Sequence, residues 1–301
     1  MGSTLEEIRH SGSLELMAKQ LVEGFITGLH KSPYHGFSVE FAEHRLYNEG
    51  QSTRHIDWKV FARTDRLYTK QYEEETNLRC LLVVDGSPSM YYPKESNAKI
   101  RFSIYAGASL AYLLHKQRDA VGACIFSDRV EELTPIKSSS VHLNKVFTLL
   151  ENRLRVQPPA KGTRVAEVLH EIAEKIHRRS LVIIFSDMFE ETDRHEEIFK
   201  ALQHLKHNKH EVLLFHVTDH RTELGFDFAE RPYEFIDLEN SEKLKLNPSD
   251  IKEKFETQLK HLHAELKIRC HQLKIDFVSV NAHENYYEVL QAYLIKRGKV
   301  R

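Results

Sequence analysis

From residue 79 onward, short apolar runs alternate with longer stretches whose apolar positions recur at helical spacing. The runs Leu81-Leu82-Val83-Val84, Val121 to Phe126, Leu181 to Phe185 and Val212 to Val217 show no polar alternation. That is the pattern of strands covered on both faces. Between them, helices are predicted over about Ala98–Lys116, Val141–Leu154, Val165–His177, His195–His207, Ile251–Gln272 and Glu284–Lys296. Glu131 to Ile136 reads as a polar edge strand, Tyr233 to Leu238 as a further strand, and Ile275 to Val280 as the last one. Apolar strands alternating with helices predict an α/β, doubly wound, mostly parallel sheet flanked by helices. Upstream, Leu14 to Leu29 reads as an amphipathic helix, and Ser32-Pro33-Tyr34-His35-Gly36 as a loop. Residues 38–77 are dense in charge and aromatics and are expected to form short strands and turns packed against a neighbouring domain. The chain therefore divides into a small N-terminal helix-plus-strands segment, 1–78, and an α/β domain, 79–301.

Composition narrows the function classes. Lys+Arg 43 against Asp+Glu 44 leaves a net charge of −1, without the positive excess usual in a nucleic-acid binder. The basic clusters His177-Arg178-Arg179 and Lys296-Arg297 sit beside helix ends, where cations complement the helix dipole, and are too short to imply nucleic acid. The 301 residues are enough to take roughly three quarters of the unfolded surface out of water without disulfide staples. Three cysteines, Cys80, Cys124 and Cys270, are far apart and without C-x-x-C spacing. They argue against a disulfide framework or a zinc–thiolate site and for a reducing compartment, the cytoplasm. No apolar run approaches the roughly 20 residues of a membrane span. Glu15, Lys19 and Glu23 interrupt the first apolar stretch, so no secretory signal is expected there.

The chemistry is concentrated where buried strands end. In open α/β sheets, ligands collect at the carboxyl ends of strands, and two of these runs end there in Asp85 and Asp187. In Asp85-Gly86-Ser87-Pro88-Ser89 a carboxylate and two hydroxyls occupy alternate positions, which an extended loop would point the same way. These are hard oxygen ligands, suited to Mg²⁺ or Mn²⁺ rather than zinc. Thr163, after Lys161-Gly162, offers another hydroxyl, and Asp187 a second carboxylate. The bland alternative is that Asp85, Ser87 and Ser89 cap the following helix.

Asp85-Gly86-Ser87-Pro88-Ser89-Met90 with Gly162-Thr163 and Ser186-Asp187 resembles the metal-ion-dependent adhesion site of von Willebrand factor A domains. The resemblance implies a Rossmann-like von Willebrand factor A fold from about Arg79 to Asn281. It implies that Asp85, Ser87 and Ser89 hold the ion directly or through water, that Thr163 completes one side in some states, and that Asp187 acts largely through water. Upstream, Gly28-Leu29-His30-Lys31-Ser32-Pro33, Gly36 to Phe41, Arg54-His55-Ile56-Asp57-Trp58-Lys59, Ala62-Arg63-Thr64-Asp65 and Lys70 to Thr76 are similar to the signature of the bacterial domain of unknown function 58 family. Where members often carry Gly-Asp-Asp, this chain has Gly50-Gln51-Ser52. Longer members have membrane helices, and this chain is similar to the short soluble ones. The family resemblance implies a MoxR-type AAA+ ATPase as partner, in assembly or maturation of other proteins.

An ion held by hydroxyls, water and one carboxylate keeps positive charge and an open octahedral position, which an acidic residue of a protein ligand can fill. A non-enzymatic, Mg²⁺-dependent protein-interaction module is therefore the expected function. The alternative is a metal-dependent phosphoesterase using the same ion as a Lewis acid, and a third possibility is a scaffold whose site is purely structural. Catalysis would require a nucleophile or a placed base at matching spacing, and the sequence offers none. Arg54, Asp57, Trp58, Lys59 and Arg63 could be a docking surface. The preferred reading is an ion network with Asp57 paired to an arginine and Trp58 packed as its anchor. Of the 19 histidines, His204, His207 and His210 invite a metal site but read better as surface residues.

Overall fold

A computed structural model describes residues 14–26, 39–46, 57–74, 78–155, 164–189, 194–236 and 243–300. In chain order these form α1 (Leu14–Ile26), β1 (Val39–Leu46), α2 (Trp58–Thr64), β2 (Tyr68–Glu74), β3 (Arg79–Asp85), a 3₁₀ turn (Pro88–Tyr91) and α3 (Ala98–Lys116). Then come β4 (Ala120–Phe126), β5 (Val130–Leu133), α4 (Ser140–Arg155), α5 (Val165–Lys175), β6 (Leu181–Ser186), α6 (His195–His207) and β7 (Glu211–Thr218). A π-helical turn (His220–Leu224), β8 (Tyr233–Ile236), β9 (Lys243–Leu246), α7 (Pro248–Gln272), β10 (Asp276–Asn281) and α8 (Tyr286–Val300) complete the chain.

The chain groups into two units, residues 34–78 and residues 1–33 with 79–301. In the smaller unit, β1 and β2 pair antiparallel from Val39↔Glu74 to Leu46↔Tyr68, with an irregularity between Phe41 and Glu43. Helix α2 was not expected. It forms because Asp57 caps it, its carboxylate accepting from the backbone N–H of Lys59 (3.0 Å) and Val60 (3.3 Å). Trp58 is 63% exposed, its ring edge-on to Phe61 at 6.1 Å. The expected anchor is thus corrected: Trp58 stays in solvent, and Asp57 spends one carboxylate oxygen on the helix start. Arg54 lies outside the described residues.

In the larger unit six strands lie in the order β10-β7-β6-β3-β4-β5, all parallel except β5, which runs antiparallel to β4. The α/β fold class expected from the sequence stands on this sheet. β3, β4, β6 and β7 are buried along nearly their whole length, while β5 is mostly exposed and β10 mostly half-buried. Alternation along the central strands supplies two cores. Leu81, Val83, Val182, Ile184, Val212 and Leu214 face one cluster with α5, α6 and the C-terminal end of α7. Leu82 and Phe185 face Gly107 of α3. Helix α3 is apolar on nearly all sides because it is buried on nearly all sides, and α1 packs along it.

Two expectations are revised here. Tyr233–Ile236 does form a strand, but it pairs with Lys243–Leu246 in a hairpin separate from the main sheet. His210 is not a surface residue. It is 1% exposed, and its Nδ1 accepts the backbone N–H of Ser180 at 3.2 Å.

The order of strands positions the site. From β3 the chain builds outward through β4 to β5, then returns to the other side of β3 and builds through β6 and β7 to β10. The direction reverses between β3 and β6, so the loops leaving those two strands diverge and open a crevice at their carboxyl ends.

Candidate functional site

Asp85, the last residue of β3, is completely buried. Its Oδ1 accepts the backbone N–H of Ser87 at 2.9 Å and its Oδ2 the hydroxyl of Ser186 at 2.6 Å. Gly86 continues the strand pairing, its N–H donating to the Phe126 carbonyl at 2.7 Å. The Gly86 carbonyl accepts from Arg153 Nη2 at 2.7 Å, and a Cβ at residue 86 would lie 2.5 Å from that nitrogen. Only glycine allows this close approach. Arg153 is itself held by Glu131 at 2.9 Å.

After Gly86 the chain turns rather than extends. Met90 N–H donates to the Ser87 carbonyl, and Tyr92 N–H to that of Ser89, each at 3.1 Å. The reason expected for convergence, an extended loop, is therefore replaced by a 3₁₀ turn, but the convergence holds: Ser87 Oγ and Ser89 Oγ are 3.1 Å apart. Capping does not account for these serines. Ser87 stands at the start of the turn with no capping bond from its side chain.

Asp187 follows β6 directly. Its Oδ1 accepts the Phe189 N–H at 3.1 Å, its Oδ2 accepts Lys99 Nζ at 2.8 Å, and its carboxylate also takes the Ser89 hydroxyl. The structure thus brings together Asp85, Ser87, Ser89 and Asp187. Thr163 lies outside the described residues. Four further participants were given no role by the sequence, Ser186 being quoted only as part of the motif. Ser186 fixes Asp85. Arg153 fixes Gly86. Lys99, fully buried, reaches Asp187, and Glu223 takes the same ammonium at 2.5 Å. A lysine among the apolar residues that begin α3 was a signal that could have been read. Glu223 gave none.

Electrostatics divide the two aspartates. Burial, reinforced by the charge of Asp187, pushes the Asp85 carboxyl up to about 7 against the hydrogen bonds from Ser186 and Ser87. For Asp187 burial acts the same way, but the Lys99 ammonium outweighs it and holds the group below the usual carboxylate range. Lys99 is held above its ordinary range, the two carboxylates overriding its burial. His216 donates from Nε2 to the Asp187 carbonyl at 2.9 Å and is kept neutral by burial, which lowers it to about 4.

Among the described residues no group of three or more His, Cys, Asp and Glu side chains is placed to hold a metal. The candidate set is instead a carboxylate with hydroxyls. Octahedral magnesium at about 2.0–2.1 Å sets neighbouring ligands about 2.9 Å apart, close to the 3.1 Å between the two serine oxygens. The donors also fit in chemistry, because Asp85 is a buried carboxylate whose ionisation is opposed and which a cation would restore.

A profile described as Protein of unknown function DUF58 matches residues 43–265. The chain belongs to the DUF58 family. Among curated proteins, this DUF58 chain is 26% identical over 175 residues to the uncharacterized protein Mb1516 of Mycobacterium bovis, covering 58% of this chain and 55% of that one. It therefore spans about half the length of the curated relatives it matches. Among solved structures, it is similar to an aerotolerance-related membrane protein from Bacteroides fragilis, with TM-score 0.45, 11% identity, and coverage of 75% of this chain and 100% of that one. It is also similar to a von Willebrand factor type A structure from Catenulispora acidiphila, with TM-score 0.35, 13% identity, and coverage of 50% and 34%. No helix among the described residues of the DUF58 chain is long and apolar enough to cross a membrane.

Proposed function

We propose that this DUF58 protein is a non-enzymatic interaction module that uses Mg²⁺ or Mn²⁺ to bind an acidic side chain of a protein partner, and that it works with a MoxR-type AAA+ ATPase in assembly or maturation of other proteins. The observation carrying the first part is the cluster of oxygens at the β3/β6 crevice, with Ser87 and Ser89 hydroxyls 3.1 Å apart beside a buried Asp85. The ATPase comes from the family-signature resemblance alone. Three free, buried cysteines support a reducing, cytoplasmic setting.

In this reading Asp85, Ser87 and Ser89 hold the ion. Ser186 and the Ser87 N–H keep both Asp85 oxygens aimed, and Arg153 fixes the turn through Gly86. Asp187 stays outside the direct ligands because Lys99 already neutralises it. When bound, the ion supplies an electropositive position for a partner carboxylate.

Pull-down of the MoxR-type ATPase with the native chain in Mg²⁺ and in EDTA, alongside Asp85→Ala and Asp85→Asn, tests the proposal. Capture is expected in Mg²⁺ and lost in EDTA and in both variants, with calorimetric heat on Mg²⁺ titration of the native chain only. Capture indifferent to EDTA and to both substitutions would remove the cation from the mechanism.

A further inference from the structure

A cavity of about 630 Å³ opens beside the oxygen cluster, with Ser89 and Asp187 on its wall. That volume lies within the roughly 300–1,000 Å³ of pockets that enclose small-molecule ligands. The body of the cavity is apolar. The Phe226 ring is 4.6 Å from that of Phe255 and 5.7 Å from that of Phe235, and Leu259 and Leu262 of α7 complete the wall. These α7 side chains are only half-buried, whereas Leu266, further along the helix, is buried. Half of an amphipathic helix face is thus spread over a void instead of a core.

The polar end of the cavity has a defined hydrogen-bonding character. His216 lines it and is 7% exposed. A carbonyl can only accept, so the bond from Nε2 to the Asp187 carbonyl places the proton of this neutral ring on Nε2 and leaves Nδ1 a bare acceptor. Among the described residues that Nδ1 has no partner and is itself enclosed, so a donor in the cavity reaches it only as the ring or its neighbours shift. The ring of His263, also on the wall, is 5.1 Å from that of His216, and its Nδ1 is likewise buried without a partner. Buried polar atoms without partners are few in folded proteins, and each calls for a reason. The charges nearby have a sign too. At this end Lys99 offsets only one of the two carboxylates it meets, Asp187 and Glu223, and Lys243 on the wall lies 3.6 Å from Glu234, so this end disfavours an anion.

We propose that this cavity binds a small amphiphile whose apolar body lies among Phe226, Phe255 and Leu262 and whose head donates a hydrogen bond to His216 Nδ1. An alcohol or amine head fits, and a carboxylate does not. This site requires no metal ion, so its test is separable from that of the cation reading.

Calorimetric titration of the full chain in EDTA with decanol, decylamine and decanoate distinguishes the heads. Decanol and decylamine are expected to bind, with decanoate roughly tenfold weaker or worse. Leu262→Trp fills the cavity and is expected to weaken decanol by at least roughly tenfold while keeping a native circular dichroism spectrum. Leu259→Phe, a smaller filling, repeats the test should the tryptophan unfold the chain. His216→Phe keeps a ring stacked on Phe277 but removes the acceptor, so the advantage of decanol over decanoate narrows. Asp85→Ala is expected to bind decanol like the native chain. Absence of binding by all three probes, decanoate binding as tightly as decanol, or undiminished binding to the filled variants would overturn the proposal.

Discussion

A lysine on the first turn of a buried helix carries its ammonium to two carboxylates, 2.8 Å from Asp187 and 2.5 Å from Glu223, without access to solvent. Taking such charges out of water costs several kcal/mol per ion, and the cost is tolerable only while all partners remain. Glu223 is 29% exposed at its side chain and can regain water, whereas Asp187 is 4% exposed and cannot. Lys99→Met is therefore expected to lower unfolding free energy by about 3 kcal/mol, read from urea titration. Adding Asp187→Asn to it should recover much of that loss, a coupling that a double-mutant cycle measures. A Lys99→Met chain as stable as the native one would contradict the account. At this scale the sequence was informative where a polar residue ends an apolar run, as at Asp85 and Asp187. It was silent on the Lys99–Glu223 pair, whose members lie 124 positions apart and share no local pattern.

Helix α7 behaves as two halves. Its C-terminal part puts Leu266, 6% exposed, and Cys270 into the core shared with α5 and α6. Its N-terminal part lays Phe255 and Leu259 along the cavity. Truncating a packed residue removes contacts and leaves a void, so Leu266→Ala is expected to cost about 3 kcal/mol. Phe255→Ala enlarges a space that already exists and should cost about 1 kcal/mol despite removing the larger side chain. Denaturant midpoints of the two variants check the order, and a reversed order would mean that the first half is as firmly packed as the second. Elements of this molecule were legible in proportion to their burial. β3, β4, β6 and β7 announce themselves as unbroken apolar runs. Helix α2 does not, since a side-chain cap at Asp57 creates it rather than any periodicity. The short hairpin strand Lys243–Leu246 alternates Lys and Leu as a strand does, but over four residues the pattern is too short to stand out. At the site, the turn Pro88–Tyr91 was read as extended because the serine spacing suits both conformations.

For the molecule as a whole, the buried histidines favour neutral pH over acid, while Asp85, pushed up to about 7 by burial, pulls the other way over the same range. His216 titrates near 4 when folded, against an ordinary value of 6.5, because burial excludes its charged form. Between those values the unfolded chain binds that proton more readily, so the His216 share of stability is full above about 6.5 and falls as pH drops toward 4. The share from His216 is about 2 kcal/mol by pH 5. His210 and His263 are lowered by burial as well and act in the same direction. Going from pH 7 to pH 5 should therefore favour His216→Phe relative to the native chain, read from the shift in urea midpoint, and an equal shift in both would refute the assignment. The alternation of strands and helices made the doubly wound class legible, but side-chain pattern does not encode which strands become neighbours. That order decides how a pull on the molecule would be carried. A partner gripping the crevice tugs on the ends of β3 and β6, each flanked on both sides by another strand. Tension along them shears whole ladders at once, where an edge strand would peel away bond by bond. The handle and the anchor are the same two strands.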